Sequence, residues 1–312
     1  MGESEQEQLP PRVSVLIVSE DNAPALRRCL RALENAAARE TFEILVVDNG
    51  SQDECPRLDS EFPAVTFLRL PRRFGVVKAL NIGMRTAKGE LLFFLAPEVE
   101  IERQAVVKLA AALDEHEAAA AACPWLLDAE GRPQPRWYRF PEPGTILRIA
   151  LQGRWDPAPA PPAEFGISPD VFPSLGAFMV RAYFLRALRY IDERYGQSWA
   201  DAEIAAQLRR ASRKILLVPE ARAVVHAAEL PELRRDPRVR ALYSADWALG
   251  AARFAWKHYG VLAGIRVRVV LALEAILRAL LALLTFRDLR FHLARAGFLL
   301  SGQKLDGTQR FL

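Results

Sequence analysis

The stretch Phe42-Glu43-Ile44-Leu45-Val46-Val47-Asp48-Asn49-Gly50-Ser51-Gln52-Asp53 decides how this chain is read. Ile44 to Val47 is apolar and mostly β-branched with no alternation, which suits a strand buried on both faces in a parallel sheet. The run stops at Asp48, and Asn49-Gly50 is a strong turn dipeptide. Ligands of open α/β sheets bind beyond the carboxyl ends of the strands, so a carboxylate at this point can meet one. Two readings stay open from these residues alone. Asp48 is a ligand contact, or it caps the helix that follows through its side-chain oxygen.

Working outward, Val13 to Val18 reads as an earlier buried strand that ends in Ser19-Glu20-Asp21-Asn22. Leu26, Cys29, Leu30 and Leu33 then recur at helical spacing. After the Phe42 strand come a short helix near Glu54 to Phe62, a strand over Val65 to Leu68, and a helix between Gly75 and Glu90. Leu91 to Leu95 is another buried strand, ending in Ala96-Pro97-Glu98-Val99-Glu100. The alternation of strand and helix predicts an α/β protein with a doubly wound, mostly parallel central sheet. Three strand ends therefore carry carboxylates: Glu20 with Asp21, Asp48, and Glu98 with Glu100. Their convergence suggests a divalent cation with phosphates, because hard cations take oxygen ligands.

The net charge of +4 over 312 residues fits a phosphate-bearing ligand or an anionic membrane surface and is too weak to argue for nucleic acid. No Gly-x-Gly-x-x-Gly follows a strand and no phosphate-binding Gly-x-x-x-x-Gly-Lys loop occurs, which disfavours a dinucleotide redox enzyme. Cys29, Cys55 and Cys123 have no metal-ligand spacing and suggest a reducing, cytoplasmic setting. Residues 1–11 are expected to form a disordered tail without a signal peptide.

The middle of the chain, Pro124 to Pro173, is rich in Pro, Trp and Arg. Trp137, Tyr138 and Trp155 either stack on a sugar or pack this loop onto the domain. Beyond Leu230 a charged connector leads to a helix over Leu242 to Tyr259 and an apolar segment over Val261 to Phe286. Arg266, Arg268, Glu274 and Arg278 interrupt that segment, and Glu274 and Arg278 are spaced to pair. Three readings remain for it: a helix buried against the domain or a second subunit, a helix in the membrane plane, or a span.

The chain resembles the inverting family 2 glycosyltransferases of the GT-A fold, in particular their rhamnosyltransferase-like members. The resemblance rests on Val46-Val47-Asp48-Asn49-Gly50-Ser51-Gln52-Asp53, Gly75-Val76-Val77-Lys78-Ala79-Leu80-Asn81-Ile82-Gly83 and Gly89 to Leu95. It continues through Asp128 to Arg132, Gly176 to Arg181, Ile191-Asp192-Glu193 and Val218 to His226, in the family's order. It implies a GT-A domain over 12–230 followed by a helical region over 231–312 that is open to membrane association.

By the same resemblance, Asp201 is the catalytic base, with Trp199 and Glu203 beside it on the acceptor side. Ser19, Glu20, Asp48, Asn49, Lys78 and Asn81 bind the donor, and Glu98 and His226 hold Mg2+ or Mn2+. The implied partners are a nucleoside diphosphate sugar and a glycan or lipid-linked acceptor, with a membrane surface as a further one. The implied location is the cytoplasm, at the inner face of the plasma membrane where the helical region attaches.

The pattern departs at three points: Ala96 stands where the family has a metal-motif side chain, Glu20 replaces an aromatic residue, and Ala200 replaces an acidic neighbour of the base. Those departures motivate a rival reading, a scaffold or nucleotide-sugar-binding protein that kept the fold and lost the chemistry.

Overall fold

A computed structural model of the protein describes residues 10–134, 136–159, 170–196, 198–227 and 236–302. Most of the tail expected over 1–11 and part of the charged connector lie outside the described residues. The chain opens with β1 (Val13–Ser19), α1 (Ala23–Glu34), β2 (Phe42–Asp48) and β3 (Thr66–Arg69). It continues with α2 (Val76–Thr86), β4 (Leu91–Leu95), β5 (Val99–Ile101), α3 (Ala105–Glu115) and β6 (Ala119–Leu127). The middle holds β7 (Trp137–Arg139), α4 (Ile146–Gln152), β8 (Val171–Pro173), β9 (Ala177–Arg181) and α5 (Ala182–Ala187). Last come α6 (Ala200–Arg210), β10 (Lys214–Val225), α7 (Pro237–Tyr259), α8 (Val261–Thr285) and α9 (Leu289–Ser301).

Eight strands form one sheet in the order β3-β2-β1-β4-β9-β6-β10-β5. β1 pairs in parallel with β2 and β4, β2 with β3, and β6 with β10. β9 runs antiparallel between β4 and β6, and β5 closes the far edge antiparallel to β10. The mostly parallel, doubly wound sheet expected from the alternation is present. The helix expected near Glu54 to Phe62 is instead a 3-10 turn over Cys55–Ser60. Its buried residues, Cys55 and Leu58, stand three apart, the period of the tighter helix.

Alternation along β1 sorts the core into two layers. Val13, Val15 and Ile17 meet α1 and α3 through Leu26, Leu30, Leu109 and Leu113. Leu16, with Leu45, Leu92 and Phe94, meets α2 and the later helices through Val77, Ile149 and Phe254.

That second layer also takes in α7. Ala241, Ala245, Ala248, Leu249 and Ala252 are buried in the same core as Phe178 and Trp199. α8 leans on α7 and α9 through a narrow stripe, Gly264, Val267, Leu271, Ala275, Ala279 and Ala282. Glu274 pairs with Arg278, as their spacing suggests, and also receives Arg295 of α9 at 2.7 Å. Among the described residues no helix is long and apolar enough to cross a membrane, so the spanning reading of 261–286 is set aside.

Candidate active site

β1 and β2 end side by side, with Ser19 opposite Asp48 in the parallel register. The turn after Asp48 needs Gly50, whose φ is +70°, and a Cβ there would lie 2.6 Å from the carbonyl carbon of Arg72. Asp48 is buried and its Oδ1 accepts from the Ser51 amide at 3.0 Å, which shapes its own loop. Capping falls to Asp53, whose carboxylate accepts from the amides of Ala23 at 2.8 Å and Cys55 at 2.9 Å. That removes the helix-cap alternative for Asp48.

The acidic end of β1 is met by a base that sequence reading passed over. Arg73 Nε lies 2.8 Å from Glu20, and another of its nitrogens pairs with Asp21. Asp21, in the left-handed region at φ 49°, also accepts from the Gln52 amide at 2.6 Å. From the distant helix α7, the Tyr243 hydroxyl donates to Glu20 at 2.9 Å. Arg73 Nη1 is buried with no hydrogen-bond partner, an orphaned donor in the middle of this cluster.

Other residues expected to contact the donor have partners within the fold itself. The Asn49 side chain pairs both ways with the Phe74 backbone, at 2.9 Å each. Asn81, equally buried, donates to the Ile191 carbonyl at 2.8 Å and accepts from the Ile191 amide at 3.1 Å. Both amides satisfy backbone groups that would otherwise be buried without partners. Ser19 Oγ is buried 3.3 Å from Cys55 Sγ, and burial pushes that thiol up to about 11. Lys78 rests its ammonium 4.3 Å from the centre of the Phe74 ring.

Across the sheet, Asp201 sits in the first turn of α6. Burial raises its pKa above the usual aspartate value. Hydrogen bonds from its own and the Leu175 amides, the charge of Arg136 and the Ser174 hydroxyl oppose the rise. The Leu175 amide lies 3.3 Å from the carboxylate. Arg136 Nη1 is 3.4 Å from Glu98 Oε1, so one guanidinium links the Glu98 carboxylate to the environment of Asp201. Gly176 stands between them, its amide carbonyl accepting from Ala96 at 2.8 Å.

His226 lies next to the same motif. Its amide donates to the Glu98 carbonyl at 2.9 Å, and its Nε2 is 2.8 Å from Glu100. Among the described residues no three His, Cys, Asp or Glu side chains are grouped to hold a metal ion. The carboxylate cluster expected from three converging strand ends is therefore not formed among them, and Glu98 faces Arg136.

The two residues expected on the acceptor side, Trp199 and Glu203, are both buried. Trp199 is wholly buried with φ 75°, and its ring meets Trp155 at 4.4 Å and Trp247 at 5.5 Å between centroids. A Cβ on Gly250 would come within 2.6 Å of that indole, so α7 is cut to fit it. A bulky residue in the left-handed region is costly and is held here by packing on all sides. Glu203 is also buried, accepting from Tyr195 at 2.7 Å, Gln207 at 2.7 Å and Lys257 at 2.6 Å, with His258 at 2.7 Å. Burial alone would raise its pKa, but the hydrogen bonds from His258, Gln207 and Lys257 hold it well below the usual carboxylate range.

Trp137, Trp155 and Tyr138 belong to this packed aromatic layer, in line with the loop-packing reading. Arg73, Arg136 and Tyr243 are the residues sequence reasoning missed. Arg136 is 38 residues from Glu98 and Tyr243 is 223 from Glu20, distances at which no local pattern operates.

A mostly parallel sheet with flanking helices, acidic strand ends and a carboxylate-bearing helix across the cleft is the GT-A arrangement. The fold is similar to that of GalNAc-T7, crystallised with UDP, GalNAc and Mn2+, at a TM-score of 0.57 and 20% identity, over 79% of this chain and 51% of that one. The profile of Glycosyl transferase family 2 matches residues 14–171, and the chain belongs to that family.

Two curated relatives are similar over shorter stretches. An uncharacterised glycosyltransferase of Bacillus subtilis, YfnE, is 28% identical over 101 residues, covering 31% of this chain and 26% of that one. The glycosyltransferase AglE of Haloferax volcanii is 32% identical over 90 residues, covering 27% and 30%. The chain spans no more than about half the length of the curated relatives it matches.

Proposed function

We propose that the protein transfers a sugar from a nucleoside diphosphate donor to a hydroxyl of a glycan or lipid-linked acceptor, with inversion at the anomeric carbon. The catalytic domain is taken as 12–230 and the helical region as 231–312. The observation that carries the reading is the carboxyl of Asp201: half-buried, raised in pKa by desolvation and within the field of Arg136, which also lies 3.4 Å from Glu98. A carboxylate raised by burial is a stronger base, suited to taking the acceptor proton as the hydroxyl oxygen attacks the anomeric carbon. The bond from that carbon to the diphosphate oxygen breaks as the new one forms, and the electron pair leaves with the nucleoside diphosphate.

Asp48, Glu20 and Arg73 form the donor end in this reading, and the orphaned Arg73 Nη1 is a group that an anionic donor satisfies. Glu98, with His226 beside it, would hold a Mg2+ or Mn2+ whose Lewis acidity offsets charge on the diphosphate. Arg136 adds a fixed positive charge at the same place.

The test is a donor screen that reads released nucleoside diphosphate, with and without Mn2+, on wild type and Asp201→Asn. Release by wild type that the variant loses supports the reading. Tight nucleotide binding with no release from any donor supports the rival scaffold, which Ala96 and the pairing of Glu20 with Arg73 and Tyr243 favour.

A further inference from the structure

Large apolar side chains that stand exposed are concentrated on one element. Of 19 such residues among those described, 12 lie on α8. On α8, residues at 100° steps divide into two faces. The stripe from Gly264 to Ala282 is buried against α7 and α9. The opposite face carries Leu262, Ile265, Val269, Val270, Leu273, Ile276, Leu277, Leu280, Leu281 and Leu284, all exposed. At 1.5 Å per residue this strip is about 33 Å long, well beyond the scattered apolar residues normal for a soluble surface.

The charges around the strip decide what covers it. Arg266 is the one charged residue within it, and Arg287 and Arg290 follow at its far end beside the exposed Phe286. Glu274 lies to the side and is already paired with Arg278 and Arg295. A second copy docking face to face would bring three arginines from each copy together, with one exposed carboxylate, Asp288 at the far end, to meet them. An arginine at an anionic lipid surface meets no such conflict, since its stem lies along the acyl boundary and its head reaches the phosphates. The ten residues from Gln303 to Leu312 offer three large apolar side chains, Leu305, Phe311 and Leu312, too few to cover the strip.

We propose that α8 is a monotopic membrane anchor, lying in the plane of an anionic phospholipid surface with its outer face among the acyl chains. The inner stripe stays on α7, so the helix cannot be surrounded by lipid and does not span. Because α7 carries Tyr243 to the donor end and covers Trp199, the anchor fixes the orientation of the cleft to the surface. This surface does not depend on the proposed reaction, and binding is read without any donor or acceptor.

The test is flotation of the full chain with vesicles of phosphatidylcholine alone and with phosphatidylglycerol added. The expected result is binding to the anionic vesicles at least tenfold stronger than to the neutral ones, weakened by salt. Leu273→Glu with Leu277→Glu, both more than half exposed, loses at least tenfold in vesicle binding with an unchanged thermal melt. Arg266→Gln with Arg287→Gln and Arg290→Gln removes the preference for anionic vesicles. Light scattering separates the remaining occupant. A dimer that falls apart in the leucine double variant overturns the proposal, as does failure of the wild-type chain to float with anionic vesicles.

Discussion

The proposed donor end and the proposed acceptor end of the cleft are built in opposite ways. At the donor end, Asp48, Asn49, Ser51 and Asp53 fold their own turn and the neighbouring loop through hydrogen bonds to nearby backbone. At the acceptor end, Asp201 and Glu203 stand two residues apart on one helix and meet opposite fates. At Asp201 desolvation outweighs the hydrogen bonds and raises the pKa, whereas the donors around Glu203 outweigh burial and lower it. In the proposed reading, the carboxylate with the raised pKa takes the proton and the one with the lowered pKa supports the fold.

The sharpest way to break this contrast is to remove each carboxylate in turn. Asp201→Asn is expected to lower transfer by about a thousandfold, with nucleotide affinity by calorimetry left within twofold. If transfer survives, Asp201 is not the base. Glu203→Ala should do the reverse, costing about 3 kcal/mol of stability by leaving Lys257 and His258 facing an empty site. A thermal melt reads that loss, and the folded fraction keeps its turnover.

The pH dependences also run apart. The folded pKa of Glu203 is depressed, so its stabilisation is full above the usual carboxylate range and drains away as pH falls toward the lowered value. Acid unfolding of the wild type should therefore begin at lower pH than that of Glu203→Gln. The pKa of Asp201 is raised, so the base protonates, and turnover falls, at a higher pH than for an ordinary aspartate. Arg136→Gln removes a charge that holds this pKa down and should move the acid limb of the pH–rate profile further up.

The smallest effect is expected at the donor end. Asp48→Asn should weaken nucleotide binding by roughly tenfold, about 1.4 kcal/mol, and leave the acid limb unchanged.

The same contrast governs what the sequence made legible. β1, β2 and β4 were readable because each is a short apolar run bounded by polar turn residues, and Asn49-Gly50 is a turn by its own chemistry. Asp201 was found only through resemblance. Trp199 and Glu203 were drawn toward the cleft because they flank it in sequence, yet a left-handed backbone at Trp199 turns its ring inward and Lys257 and His258 of α7 claim Glu203. Asn49 and Asn81 were read as ligand groups, and the missing information was tertiary: the backbones of Phe74 and Ile191. Arg136 could not be singled out in an arginine-rich segment, since its partner Glu98 comes from another strand end.

The contact between Tyr243 and Glu20 has a consequence for how the protein is made. Their 223-residue separation means the first strand leaves the ribosome roughly 10–45 s before the helix that meets it, at ordinary rates of synthesis. Until then the nascent chain holds an uncovered indole at Trp199 and an unfinished donor end. A polypeptide halted before α7 would be a client for chaperones, and the completed cleft is among the last things the growing chain acquires.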